Sequence, residues 1–220
     1  MTDEFDRNWL ALIAPLTWVE AFYTLIGLTR LGEHPTTVER LAAALQRPDE
    51  EAIELAWKAS RVRPDETGRI HLDTPWPGAS PRRRLLVDGR ELPVSGCAPD
   101  LFMVAAVLDV PFRVEDTCPV TGAPIRIAFA PGSVEWVDPP ETVVAMLSPE
   151  QANTVAEMEI EQINTDLCVQ QPFVSSAEAA RGWLGNHPGG RVFPVAEMVH
   201  RPFITHIRDT WRPRILANAA

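Results

Sequence analysis

The segment GCAPDLFM, residues 96–103, sets one of only three cysteines three positions ahead of an aspartate in an otherwise apolar stretch. On a helix, positions i and i+3 share a face, so Cys97 and Asp100 would address one small volume. The thiol offers a soft nucleophile, and the carboxyl group can take or deliver a proton. The same residues have a structural reading: a lone Cys is among the most buried residue types, and an Asp ahead of an apolar run often caps a helix. Cys118 and Cys168 complete the set. Three widely spaced cysteines without a C-x-x-C pair make a poor disulfide framework and a poor structural zinc site, so free thiols in a reducing compartment are expected. Cys118, beside Thr-Gly-Ala-Pro, reads as a small buried residue at a strand end, and Cys168, between Leu167 and Val169, as a core residue. His187 reads as a loop residue or helix terminus, and His200 and His206 lie too far along the chain from the cysteine motifs to be assigned as ligands.

The elements around this pair must hold it in place. A chain of 220 residues can bury a core as one large domain or two small ones without disulfide staples. Thirty acidic side chains against twenty basic ones leave a formal charge of -10, which repels phosphate backbones and argues against nucleic-acid or anionic-membrane binding. No apolar run approaches the roughly 20 residues a membrane-spanning helix needs, and MTDEFDRNW is acidic where a secretory signal is basic. The expected location is cytoplasmic.

The fold expected is α+β. Residues 1–75 read as a helical, winged-helix-like domain. NWLALIAPLTWVEAFYTLIGLTRLG predicts a buried helical segment broken near Pro15 and stopped at Gly32, TTVERLAAALQ a helix capped by Thr36 or Thr37, and DEEAIELAWKAS a further helix. VRPDETGRIHLD predicts a short strand pair about its DETG turn. In a DNA-binding winged helix the second helix of the motif enters the major groove. Here that helix begins Asp49, Glu50, Glu51 and carries Glu54, the wrong sign for phosphates, so the unit reads as a packing or dimerisation module. Residues 76–84 read as a linker whose terminal arginines form a solvated charge run or pair with the acidic first domain. Residues 85–220 read as a mixed core: strands about the Asp-Gly turn of LLVDGRELPVSG, a buried helix at CAPDLFMVAAVLDV, and a mainly antiparallel sheet over residues 111–147. Two flanking helices are expected at SPEQANTVAEMEIEQINT and SSAEAARGWLGNH, the second opened by a cap at Ser175 and Glu178.

At GCAPDLFM, TCPVTGAPI, DLCVQQPF and AARGWLGNHPGG the sequence resembles the alkylmercury (organomercurial) lyases, over roughly residues 85–200. All three cysteines fall in that family's order with near-matching spacing, and the family carries a helical, winged-helix-like domain ahead of its catalytic core. The resemblance implies an enzyme that cleaves a carbon–mercury bond by protonolysis, releases a hydrocarbon and leaves Hg(II) on the protein. It implies that Cys97 and Cys168 are the mercury-binding catalytic cysteines, that Asp100 is the catalytic aspartate at the same metal, and that Cys118 is structural. No organic cofactor is implied, and the Hg(II) product would pass to a small thiol or a mercuric reductase. The chemistry of the residues agrees: thiolates are the side chains that best bind a soft metal, and a neighbouring carboxyl can carry a proton from a thiol to the departing carbon. Two departures stand out. Gly96 replaces a residue that is commonly aromatic, and Val169–Phe173 replaces a stretch that is often a second cysteine followed by aromatics. Rival readings on the same fold are a non-catalytic soft-metal binder and a lyase acting on another organometal. A third is a metal-sensing DNA-binding regulator, disfavoured by the acidic helix.

Overall fold

The computed structural model describes residues 3–72, 80–94 and 96–219. Pro15 divides the apolar N-terminal stretch, because a proline lacks the N–H that helix continuation needs. Helix α1 (Glu4–Ile13), capped by Asp3 through the Phe5 N–H at 3.1 Å, is followed after an 82° bend by α2 (Thr17–Thr29). The chain leaves α2 through Arg30, Leu31 and Gly32, all with positive φ. Gly32 is required there, since a Cβ would collide with the Leu72 carbonyl. Helix α3 (Val38–Leu45) is capped by Thr37, whose hydroxyl accepts the Arg40 N–H at 3.3 Å, and α4 (Asp49–Ser60) follows. Among the described residues, no single helix is long and apolar enough to cross a membrane.

The strand pair expected about DETG forms differently. Asp65 to Gly68 do make the turn, but β2 (Arg69–Ile70) pairs with β1 (Thr36–Thr37), ahead of α3, in the register Thr36↔Ile70. Pro64, just before the turn, has no N–H to give a hairpin ladder, whereas Thr36 and Thr37 do.

Beyond this unit, β3 (Ser80–Val87) and β4 (Arg90–Val94) form a hairpin through Asp88 and Gly89, whose φ values of 45° and 79° suit a two-residue turn. They continue into β5 (Phe112–Thr117), β6 (Pro124–Ala130) and β7 (Ser133–Asp138) as an antiparallel sheet of order β4-β3-β5-β6-β7. A smaller antiparallel sheet has the order β10-β8-β9, from β8 (Val143–Met146), β9 (Phe173–Val174) and β10 (Arg191–Pro194). The part of the 76–84 stretch that is described is therefore strand, and Arg83 and Arg84 pair within the sheet and not with the N-terminal acids. Arg83 is buried and pairs with Asp116 on β5 at 2.7 Å, and Arg84 pairs with Glu115 at 2.5 Å. Antiparallel pairing of β3 with β5 sets these opposite charges side by side.

Between the sheets and the N-terminal helices runs α5 (Ala98–Val107), buried at every position except Asp100. Phe102 meets Phe129 of β6 edge-on at 5.3 Å, and α5 also packs on α2, β8 and the C-terminal helical run of residues 202–218. A helix apolar all round belongs in such a position.

The single helix expected over residues 148–165 is broken. Ser148 and Gln151 cap a short turn, Pro149–Ala152, and the chain restarts at Ile160–Gln162 and widens into a π-turn over Ile163–Leu167 before a 3₁₀ turn at Cys168–Gln170. The Ser175/Glu178 cap also differs: the Ser176 hydroxyl accepts the Ala179 N–H, Glu178 pairs with Arg181, and the helix spans Arg181–Asn186.

Candidate active site

Cys97 sits at the N-cap of α5, with extended backbone (φ −88°, ψ 169°), and Asp100 occupies the third helical position. Asp100 Oδ2 accepts the Cys97 N–H at 2.5 Å and faces the Cys97 sulphur at 3.0 Å. The oxygen that caps the helix is thus the one that faces the thiol. Cys168, 68 positions further on, brings its sulphur to 3.7 Å from that same Oδ2. The three ligand atoms lie within 4.8 Å of one another, a group that can hold a soft metal.

Backbone ties hold the two segments together. The Ala98 N–H donates to the Gln171 carbonyl at 2.8 Å, and the Gln171 side chain accepts the Leu147 N–H at 3.1 Å, joining the Cys168 turn to both α5 and the end of β8. From β3, Arg83 donates to the Gly96 carbonyl at 2.9 Å while paired with Asp116. Gly96 itself has φ 87°, a conformation that a side-chain-bearing residue adopts only with strain.

Both site thiols are nearly sealed, at 5% exposure for Cys97 and 6% for Cys168. Burial pushes the Cys97 thiol well above its ordinary 9.0, and the neighbouring Cys168 and Asp100 push the same way. At Cys168 a hydrogen bond from Cys97 favours the thiolate, but burial and the Asp100 charge outweigh it, so this thiol is raised too. Both sulphurs therefore carry protons near neutrality, and a metal can replace those protons only if a base accepts one. Asp100 is in contact with both.

A cavity of about 80 Å³ opens beside these groups. Its walls are apolar: Trp9, Trp18 and Phe22 from the N-terminal helices, with Met103, Met146 and Leu167 from the rest. Such a space suits a small hydrocarbon group.

Residues 82–202 match the alkylmercury lyase family. The alkylmercury lyase of Streptomyces lividans is 30% identical over 197 residues, covering 90% of this chain and 85% of that protein. The chain belongs to the alkylmercury lyase family. The alkylmercury lyase of Pseudomonas putida is 29% identical over 187 residues, covering 82% of this chain and 80% of the relative. A solved structure, the mercury-bound form of MerB2, shares the fold with a TM-score of 0.57 at 16% identity, over 96% of this chain and 98% of that one.

Within this alkylmercury lyase chain, Cys118 lies apart from the cluster. It follows β5, and its sulphur accepts the Thr121 N–H at 3.5 Å and the Ser175 N–H at 3.4 Å, stitching the Thr-Gly-Ala turn to the end of β9. Burial opposes the thiolate there, but the hydrogen bonds from Ser175 and Thr121 outweigh it and lower the pKa to about 7. His187 stacks on Trp183, and His206 meets Trp211 edge-on; neither belongs to the metal-capable group, and nor does His200. The residue that sequence reasoning missed is Tyr23. Its hydroxyl donates to Asp100 Oδ1 at 2.8 Å. A signal was present, since Tyr23 is the chain's sole tyrosine and sits in a buried stretch of α2 that runs from Ala21 to Thr29.

Proposed function

We propose that this chain is an organomercurial lyase that cleaves carbon–mercury bonds by protonolysis with Cys97, Asp100 and Cys168. The observation that carries the reading is the single Asp100 oxygen in contact with two buried thiols. A site that merely stored a soft metal would gain little from a hard oxygen between two sulphurs; a site that must move a proton needs one.

The first cysteine displaces the ligand X from R–Hg–X, and its proton leaves with X as HX. The second thiol passes its proton to Asp100 and binds mercury as thiolate. Cys97 suits this second role, because its sulphur is the nearer to Oδ2, at 3.0 Å against 3.7 Å for Cys168. Two thiolates donating into the metal weaken the carbon–mercury bond. Asp100 then delivers the proton to carbon, the bond's electron pair goes into the new C–H bond, and Hg(II) remains on Cys97 and Cys168. Mercury is substrate throughout, and no organic cofactor is needed.

The N-terminal unit, winged-helix-like in outline, serves as a wall of the substrate cavity and not as a DNA reader, in keeping with the acidic first turn of α4. The enzyme works in the reducing cytoplasm and hands Hg(II) to a small thiol or a reductase, since buried thiols must stay reduced to act. Incubating the reduced protein with an organomercurial and measuring hydrocarbon tests the function directly: release matched by Hg(II) retained on the protein is expected, and mercury binding without any hydrocarbon would overturn it.

A further inference from the structure

The carboxylate shared by the two thiols has a second oxygen, and its partner comes from the N-terminal helices. Tyr23 on α2 donates its O–H to Asp100 Oδ1 at 2.8 Å, while Oδ2 takes the Cys97 N–H and faces both sulphurs. The ring is 2% exposed, edge-on to Phe22 at 5.1 Å and stacked with Trp211 at 6.4 Å. A phenylalanine would fill that apolar niche without the cost of burying a hydroxyl, so the hydroxyl calls for an explanation of its own.

The two oxygens of an ionised aspartate are interchangeable, but once one carries a proton a flip about the broad, roughly two-fold carboxyl torsion would turn that proton away from the sulphurs. We propose that Tyr23 is a positioning residue for the proton transfer: by holding Oδ1 it keeps Oδ2 turned toward the two sulphurs, which makes α2 part of the active site. The proposal rests on the protonolysis reading above. The donor suits both states of the carboxyl group. When Oδ2 carries the proton, Oδ1 is a carbonyl oxygen and still accepts the phenol O–H; when the proton leaves, the bond persists and strengthens. Burial, then the Asp100 charge, keep the phenol protonated well above its ordinary range, so Tyr23 stays a donor.

The test is Tyr23→Phe, assayed for methane release from a methylmercury salt alongside a Hg(II) titration. The expected result is a fall in kcat of about tenfold or more, the scale of one hydrogen bond to a charged group, with KM and Hg(II) affinity unchanged. Because Tyr23 is the only tyrosine, the tyrosine Raman doublet of the parent reports this phenol alone. It should show a strong donor that weakens in Asp100→Asn, a measurement that needs no change at Tyr23. A kcat equal to the parent's, a loss that merely tracks the folded fraction, or a doublet indifferent to Asp100→Asn would each overturn the proposal. A parent that releases no methane would remove the protonolysis reading itself, whereas an active parent matched by Tyr23→Phe would remove only the role of Tyr23.

Discussion

Replacing Asp100 with asparagine separates binding from chemistry. Asp100 receives the Cys97 N–H, the Tyr23 O–H and, at longer range, both thiols. Asparagine keeps one accepting oxygen, so it can serve Tyr23 or the Cys97 N–H but not both, and its amide N–H₂ faces a donor on the other side. Losing the cap costs about 1 kcal/mol and an unpaired donor about 1–3 kcal/mol more, roughly 2–4 kcal/mol together. In a chain of this size each kcal/mol lowers Tm by about 2–4 °C, so a drop of roughly 4–16 °C is expected with the fold intact. The chemical loss should be far larger, at least about a hundredfold in the rate of carbon–mercury cleavage, as for a lost general acid. Hg(II) should still bind, because both sulphurs remain. Single-turnover hydrocarbon release and a mercury titration on one preparation read both quantities. Equal release by variant and parent would refute the proton-shuttle role, and parallel loss of Hg(II) binding and release would make Asp100 a ligand instead.

Other expectations follow from the same geometry. Cys168→Ser should nearly abolish turnover while circular dichroism stays native, because a hydroxyl is too hard and too weakly acidic to replace a thiolate on mercury; a variant with most of its activity would exclude Cys168 from the site. Cys118→Ala leaves the Thr121 and Ser175 N–H groups without their sulphur acceptor and should cost about 1–3 kcal/mol while the folded fraction stays active. Its thiol pKa, lowered from 9.0 to about 7, adds stability that is complete above the unfolded value and is lost as pH falls through the folded one. Denaturant midpoints should therefore rise between pH 7 and 9 in the parent and rise less in Cys118→Ala. Arg83→Met removes the cation from a buried pair and should cost about 3–5 kcal/mol, read as a Tm loss of roughly 6–20 °C; an unchanged Tm would show that Asp116 finds another partner.

What depends on near neighbours was legible along the chain. Cys97 and Asp100 meet because three residues span about one helical turn and Pro99 favours a helix start, so their proximity needs nothing from the rest of the fold. The break at Pro15, the Thr37 cap and the Asp88–Gly89 turn are local for the same reason. Tertiary structure alone decided which distant segments meet. Cys168 reads as a core residue until the π-turn before it and the Gln171 ties bring its sulphur onto Asp100. Arg83 reads as a solvated charge until pairing of β3 with β5 buries it against Asp116 beneath Gly96. Tyr23 reads as one more apolar position on α2 until α5 packs beside it. Local pattern sets helix, turn and face, but the partner of a buried polar group is set by whichever element the packing brings within hydrogen-bond reach, and that choice is not written in the neighbouring residues.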